Sequence, residues 1–192
     1  MTTSQIDQPV ALRCIDLVQI LVDRGARIDN TLHYAVDDYA IVKFLLSRGA
    51  KILSVPDKIL AITNAAGVGN VEVIRLLNFH ANDVELDRSR ETLNWAASRG
   101  RVDAAKFLIE HGFDVNATLD GCLVGETPLI AVSQPKYPNS ERIAIAKLLI
   151  ENGADVNTRD ETGTTAAEML LQDDLLQEDT DSQQLLAGNY IG

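Results

Sequence analysis

Apolar positions recur along this chain at helical spacing, in five clusters that each run into the same short phrase. Val18, Leu21 and Val22 meet LVDRGARID at 21–29, and Ile41, Leu45 and Leu46 meet LLSRGAKI at 45–52. Val73, Ile74 and Leu77 lead into LLNFHANDV at 76–84, Ala105, Leu108 and Ile109 into LIEHGFDVN at 108–116, and Ile145, Leu148 and Leu149 into LIENGADVN at 149–157. Residues three and four apart share one face of a helix, so each cluster predicts an amphipathic helix. The glycine of the phrase stands where a helix end takes a left-handed residue. Its slots are Gly25, Gly49, Ala81, Gly112 and Gly153, at intervals of 24, 32, 31 and 41 residues. Alanine at 81 must bear a strain of roughly 1 kcal/mol or let the helix end differently, so the third boundary is expected to be irregular. A unit of about 33 residues recurring five times predicts an array with one long surface and no central cavity.

A second, shorter helical segment precedes each of these helices. In Glu126-Thr127-Pro128-Leu129-Ile130-Ala131 the Thr127 hydroxyl is placed to cap a helix whose first position is Pro128, where the missing N–H costs nothing. Comparable segments begin at Asn30 (NTLHYA), Leu93 (LNWAA) and Thr165 (TAAE). Each unit therefore reads as loop, short helix, turn and longer helix. At the front only one good helix is visible, Val10–Asp23. At the back DETGTTAAEMLLQ supplies a loop and one helix, with Leu171, Leu175 and Leu176 available to pack a last helix. Such half-units are what the ends of a stack require.

With GADVN at 153–157 and its counterpart GFDVN at 112–116 each following a helix, and TPL at 127–129 opening another in register, the chain resembles ankyrin-repeat proteins over about residues 10–172. The resemblance implies an all-α solenoid of stacked helix–turn–helix units with hairpin-like finger loops, about five repeats plus degenerate caps. Its units fall roughly at 1–29, 30–54, 55–85, 86–118 and 119–158, with 159–177 as a cap, in a single domain of residues 1–172 followed by a tail at 178–192. It also implies a concave groove, lined by fingers and inner helices, that binds other macromolecules. The first full unit lacks nine residues, about seven of them from the finger before Asn30 and two from the turn at Asp37-Asp38. The unit ending at Gly153 has eight extra, three in the finger 116–126 and five in the turn 134–140. The groove is therefore expected to be uneven.

Charge is unevenly divided. Residues 151–192 hold ten acids and Arg159, a net −9, whereas residues 1–150 hold 18 acids and 16 bases, a net −2. The acidic end argues against nucleic acid as a partner, and no apolar run approaches the ~18 residues of a membrane span. The opening MTTSQIDQPVALR lacks the basic and apolar regions of a secretory signal, and Cys14 and Cys122 match no disulfide or zinc spacing. A cytoplasmic or nuclear monomer without cofactor or metal is expected.

No catalytic motif is present, and Gly67-Val68-Gly69 reads as a turn between helices. His80 and His111 occupy one slot at helix C-termini, exposed and ~10 Å apart on successive units, too far to share a metal. By the resemblance, His33 makes structural hydrogen bonds between neighbouring units. Trp95 lies on an inner helix, either as core packing or as a partly exposed groove anchor. Residues 88–106 carry Arg88, Arg90, Arg99, Arg101 and Lys106 against Glu91 and Asp103, a local +3. Arginine recognises carboxylates bidentately, unless these side chains merely pair with nearby acids such as Asp87 and Glu91. The leading expectation is a non-catalytic protein–protein interaction module that holds a protein or peptide, one with an acidic segment, through Arg88, Arg90, Trp95, Arg99, Lys136 and Tyr137. The alternative is an enzyme or small-molecule binder with a pocket at His33, Tyr34, Asp37, Asp38 and Glu126.

Overall fold

A computed structural model describes residues 10–29, 31–52, 54–79, 90–118, 126–134 and 140–172. In chain order they form α1 (Val10–Asp23), a 3₁₀ turn (Leu32–Tyr34), α2 (Tyr39–Ser47), α3 (Val55–Val68) and α4 (Val71–Phe79). Then follow α5 (Arg90–Ser98), α6 (Val102–Glu110), α7 (Pro128–Ser133), α8 (Ser140–Glu151) and α9 (Ala166–Gln172). The chain is all-α: no strand occurs among the described residues, and one antiparallel bridge, Arg159 to Thr165, closes the loop ahead of α9. The 3₁₀ turn, α3, α5, α7 and α9 pack successively as an inner layer, while α2, α4, α6 and α8 form an outer layer that α1 joins through α2. The core is the seam between them, built from aliphatic residues such as Ile62, Ile74, Leu93, Leu108, Leu129 and Leu149.

The recurring phrase is a helix stop joined to a link between units. Gly25, Gly49, Gly112 and Gly153 have φ between 84 and 88°, where a Cβ would be strained. The N–H groups of Ala26, Ala50, Phe113 and Ala154 return to the carbonyls of Leu21, Leu45, Leu108 and Leu149 at 3.0–3.1 Å, the 6→1 bond that satisfies a helix's last carbonyls. Further on, the Asn116 side chain accepts from Asp155 N–H at 2.8 Å and donates to the Gly153 carbonyl at 3.0 Å. Asp29 at the same slot accepts from Lys51 N–H at 3.1 Å. At these two links the polar residue closing the phrase ties one stop to the next. The Ala81 boundary and His80 lie outside the described residues.

Eleven residues before each anchor comes a second structural slot, holding Asp38, Asn70, Arg101 and Arg142. The Asp38 carboxylate caps α2, accepting from Ala40 and Ile41 N–H. Asn70 caps α4 through Val73 N–H and donates back to the Val36 carbonyl at 3.1 Å. Arg101 Nε donates to the Gly67 carbonyl at 3.2 Å. Arg142 is buried and donates to the carbonyls of Val132 and Ser133 at 2.8 and 3.0 Å, ending α7 with a guanidinium where the enlarged turn begins.

The ends depart from expectation in one respect. On α1 the apolar residues Leu17 and Leu21 are 58% and 49% exposed, although their register equivalents Ile145 and Leu149 on α8 are fully buried. The sequence places Leu21 in the core, but no inner helix packs on α1 among the described residues. Thr165 and Glu168 form a reciprocal capping box on α9, at 2.8 and 3.1 Å. Hydrogen bonds from Thr165 hold the Glu168 carboxyl below its usual range, with Arg159 adding a smaller pull. Asp160 is lowered likewise, first by the Thr162 hydroxyl and then by loop N–H groups.

Candidate inner-face binding site

The inner layer is held in register by polar bonds that leave one side of each element uncovered. Thr63 and Thr92 share a buried hydrogen bond of 2.8 Å between α3 and α5. Asn64 donates to the His33 carbonyl at 3.3 Å, and Asn94 to the Glu126 carbonyl at 3.4 Å. On α3, Ala61, Ile62, Ala65 and Ala66 are buried, so Leu60, Asn64 and Val68, four residues apart, run along the opposite stripe. On α5, Leu93, Ala96 and Ala97 are buried, and Glu91, Trp95 and Arg99 form the matching stripe. Tyr34 occupies the same register position on the 3₁₀ turn. Tyr34 is 81% exposed, Leu60 44%, Trp95 41% and Val68 40%. Four large apolar residues on three adjacent elements therefore meet solvent on one side. A row of this kind is a binding surface in search of a partner more often than scattered singles are.

Arg99 joins two of those elements. Its guanidinium lies over the Trp95 indole, 4.1 Å from the ring centroid, a cation–π contact one helical turn long. It also lies against Gly67 of α3, where an added Cβ would come within 2.8 Å of Nη1. The small residue at 67 makes room for the arginine of the next unit. Among the described residues Arg99 has no carboxylate partner, and its half-buried guanidinium lies between the Trp95 ring and Gly67.

Of the expected contact set, Trp95 and Arg99 come together here, and Trp95 is 41% exposed and not buried in the core. Arg88, Lys136 and Tyr137 lie outside the described residues, and Arg90 is described only as the first residue of α5. Leu60 and Val68 were missed because α3 is apolar over most of its length; only their spacing of eight, out of phase with the buried alanines, marks them.

The alternative pocket is not assembled. Tyr34 stacks on His33 at 3.9 Å but points to solvent, and Asp38 is committed to capping α2. The Asp37 carbonyl receives Asn70, and Asp37 is exposed. Glu126 belongs to the segment opening α7, three inner-layer steps from the 3₁₀ turn, and accepts from Gln134 at 3.3 Å. The bond between units expected at His33 is made by its backbone carbonyl, which accepts from Asn64. An open cleft of about 530 Å³ exists elsewhere, between α4 and α6 on the outer layer, with Glu72, Arg75, Asp103, Lys106 and Glu110 around Phe107. Arg75 lies 4.5 Å above the Phe107 ring there.

Compared with known families, residues 62–160 match the model for ankyrin repeats in three copies. No curated protein matches the chain.

Proposed function

Since the chain belongs to the ankyrin-repeat family, whose repeats generally mediate protein–protein interaction, we propose that it is a non-catalytic module that grips a peptide segment of a partner on the inner-layer face. The observation that carries this reading is the exposed row Tyr34, Leu60, Val68 and Trp95, with Arg99 stacked on the indole. An apolar side chain of the partner sits against Trp95 and Leu60 while a carboxylate beside it takes the free donors of Arg99, which suits a segment mixing leucine-like and acidic residues. The face is already ordered: Thr63–Thr92, Asn64 and Asn94 fix the helices and the Trp95–Arg99 stack fixes the rotamers, so little ordering remains to be done on association. It acts as a monomer.

Peptides selected from a random display library on the full chain test this. Trp95→Ala should cost about 2 kcal/mol or more, roughly 30-fold in Kd, as expected of a central aromatic anchor. Arg99→Ala should weaken binding and flatten its salt dependence together. Full-strength binding to a folded Trp95→Ala, Arg99→Ala double variant would show the site to be elsewhere.

A further inference from the structure

Residues 173–192 match the exposed inner face in chemistry. The segment DDLLQEDTDSQQLLAGNYIG holds five acids, Asp173, Asp174, Glu178, Asp179 and Asp181, and no lysine, arginine or histidine. Two leucine pairs, Leu175-Leu176 and Leu185-Leu186, flank the acids. Leucines beside acidic side chains are the chemistry proposed above for a partner of Trp95, Leu60 and Arg99. We propose that residues 173–192 occupy this face in cis and compete with the external partner, making the module self-inhibited; this rests on the inner face being the binding surface.

Geometry allows it. The segment leaves from α9, which lies in the same layer as the site, packed on α7, which is packed on α5. Inner helices 8–10 Å apart put Trp95 roughly 20 Å from α9. A random-coil chain of 20 residues, the length of 173–192, would have a root-mean-square span of roughly 25 Å. When span and separation match, the effective concentration of a tethered ligand is near its maximum, on the order of 1 mM. A cis contact as weak as about 100 µM would then hold the face closed about ten times out of eleven and weaken external binding about tenfold.

The test uses the full chain in three forms: unaltered; with Leu175, Leu176, Leu185 and Leu186 each changed to Ser; and with Asp173→Asn, Asp174→Asn, Glu178→Gln, Asp179→Asn and Asp181→Asn. Trp95 is the only tryptophan, so its emission and its quenching by acrylamide report the face directly. Both variants should show red-shifted emission, stronger quenching and about tenfold tighter binding of a display-selected peptide; 1 M salt should move the unaltered chain the same way. Identical emission and quenching in all three forms would overturn the proposal. So would a leucine variant that melts earlier with Trp95 unmoved, because the leucines would then be packing on the end of the stack. The fluorescence readout needs no peptide. Peptide binding indifferent to Trp95→Ala would therefore count against the binding face itself, and unchanged fluorescence against the tail alone.

Discussion

Arg142 offers a sharp test of how the enlarged unit keeps its place in the stack. Its side chain is 4% exposed, and it donates from Nε to the Val132 carbonyl at 2.8 Å and from Nη2 to the Ser133 carbonyl at 3.0 Å. Both acceptors belong to buried residues at the end of α7, where no glycine stop is available and Gln134 turns extended. Arg142→Met keeps an unbranched stem in the space and removes both donors. Each buried carbonyl left without a partner costs about 1–3 kcal/mol, offset in part because a buried charge no longer has to be desolvated, so a net loss of about 3 kcal/mol follows. For a chain of this size that is a fall in Tm of about 6–12 °C. Arg101 is the control. It holds the same slot one unit earlier, is exposed, and makes a single bond to the Gly67 carbonyl at 3.2 Å, so Arg101→Met should cost about 0.5–1 kcal/mol. Thermal and urea unfolding followed by circular dichroism and by Trp95 emission measure both. Equal losses for the two variants, or an Arg142→Met loss below about 1 kcal/mol, would refute the capping role.

Gly67→Ala should raise stability by about 0.5–1 kcal/mol through helix propensity, while its Cβ displaces Nη1 of Arg99 and changes Trp95 emission; calorimetry and fluorescence on one sample check both. Asn116→Ala removes the accepting and donating bonds to the next helix stop and should destabilise by about 1–2 kcal/mol, read by urea unfolding. At the C-terminal cap, Asp160 and Glu168 have folded pKa values below their ordinary ones, so the stability they confer is full above about pH 5 and is lost as pH falls through the lowered values, below about pH 4. Hydrogen exchange of α9 should accelerate in that window, and a Glu168→Gln, Asp160→Asn chain should lose the pH dependence.

The array was legible because the recurring phrase carries its own mechanics. Gly at the left-handed position and leucine four residues earlier answer a backbone requirement at the helix stop, and the Asn or Asp four residues after Gly25 and Gly112 links to the next stop, so pattern and structure coincide at Gly112, Leu108 and Asn116. Thr127 and Pro128 read correctly as a helix start for the same local reason. What could not be read depended on a neighbour. Leu21 has the pattern of a core residue and is exposed because no inner helix packs on α1 among the described residues. Trp95 was ambiguous because its surroundings are set by Arg99 one turn on and by Gly67 a unit away. Arg142 looks like an ordinary charged residue in an amphipathic helix, and only the orphaned carbonyls of α7 explain its burial. His33 was expected to bond between units, and it is its backbone carbonyl that does so, accepting from Asn64.

Titration of the full chain with a display-selected peptide, followed by Trp95 emission beside calorimetry, tests the inner-face site most directly. A saturable blue shift with loss of acrylamide quenching, at the same Kd that calorimetry gives, is the predicted result. Complete calorimetric binding with Trp95 emission and quenching unchanged would contradict it.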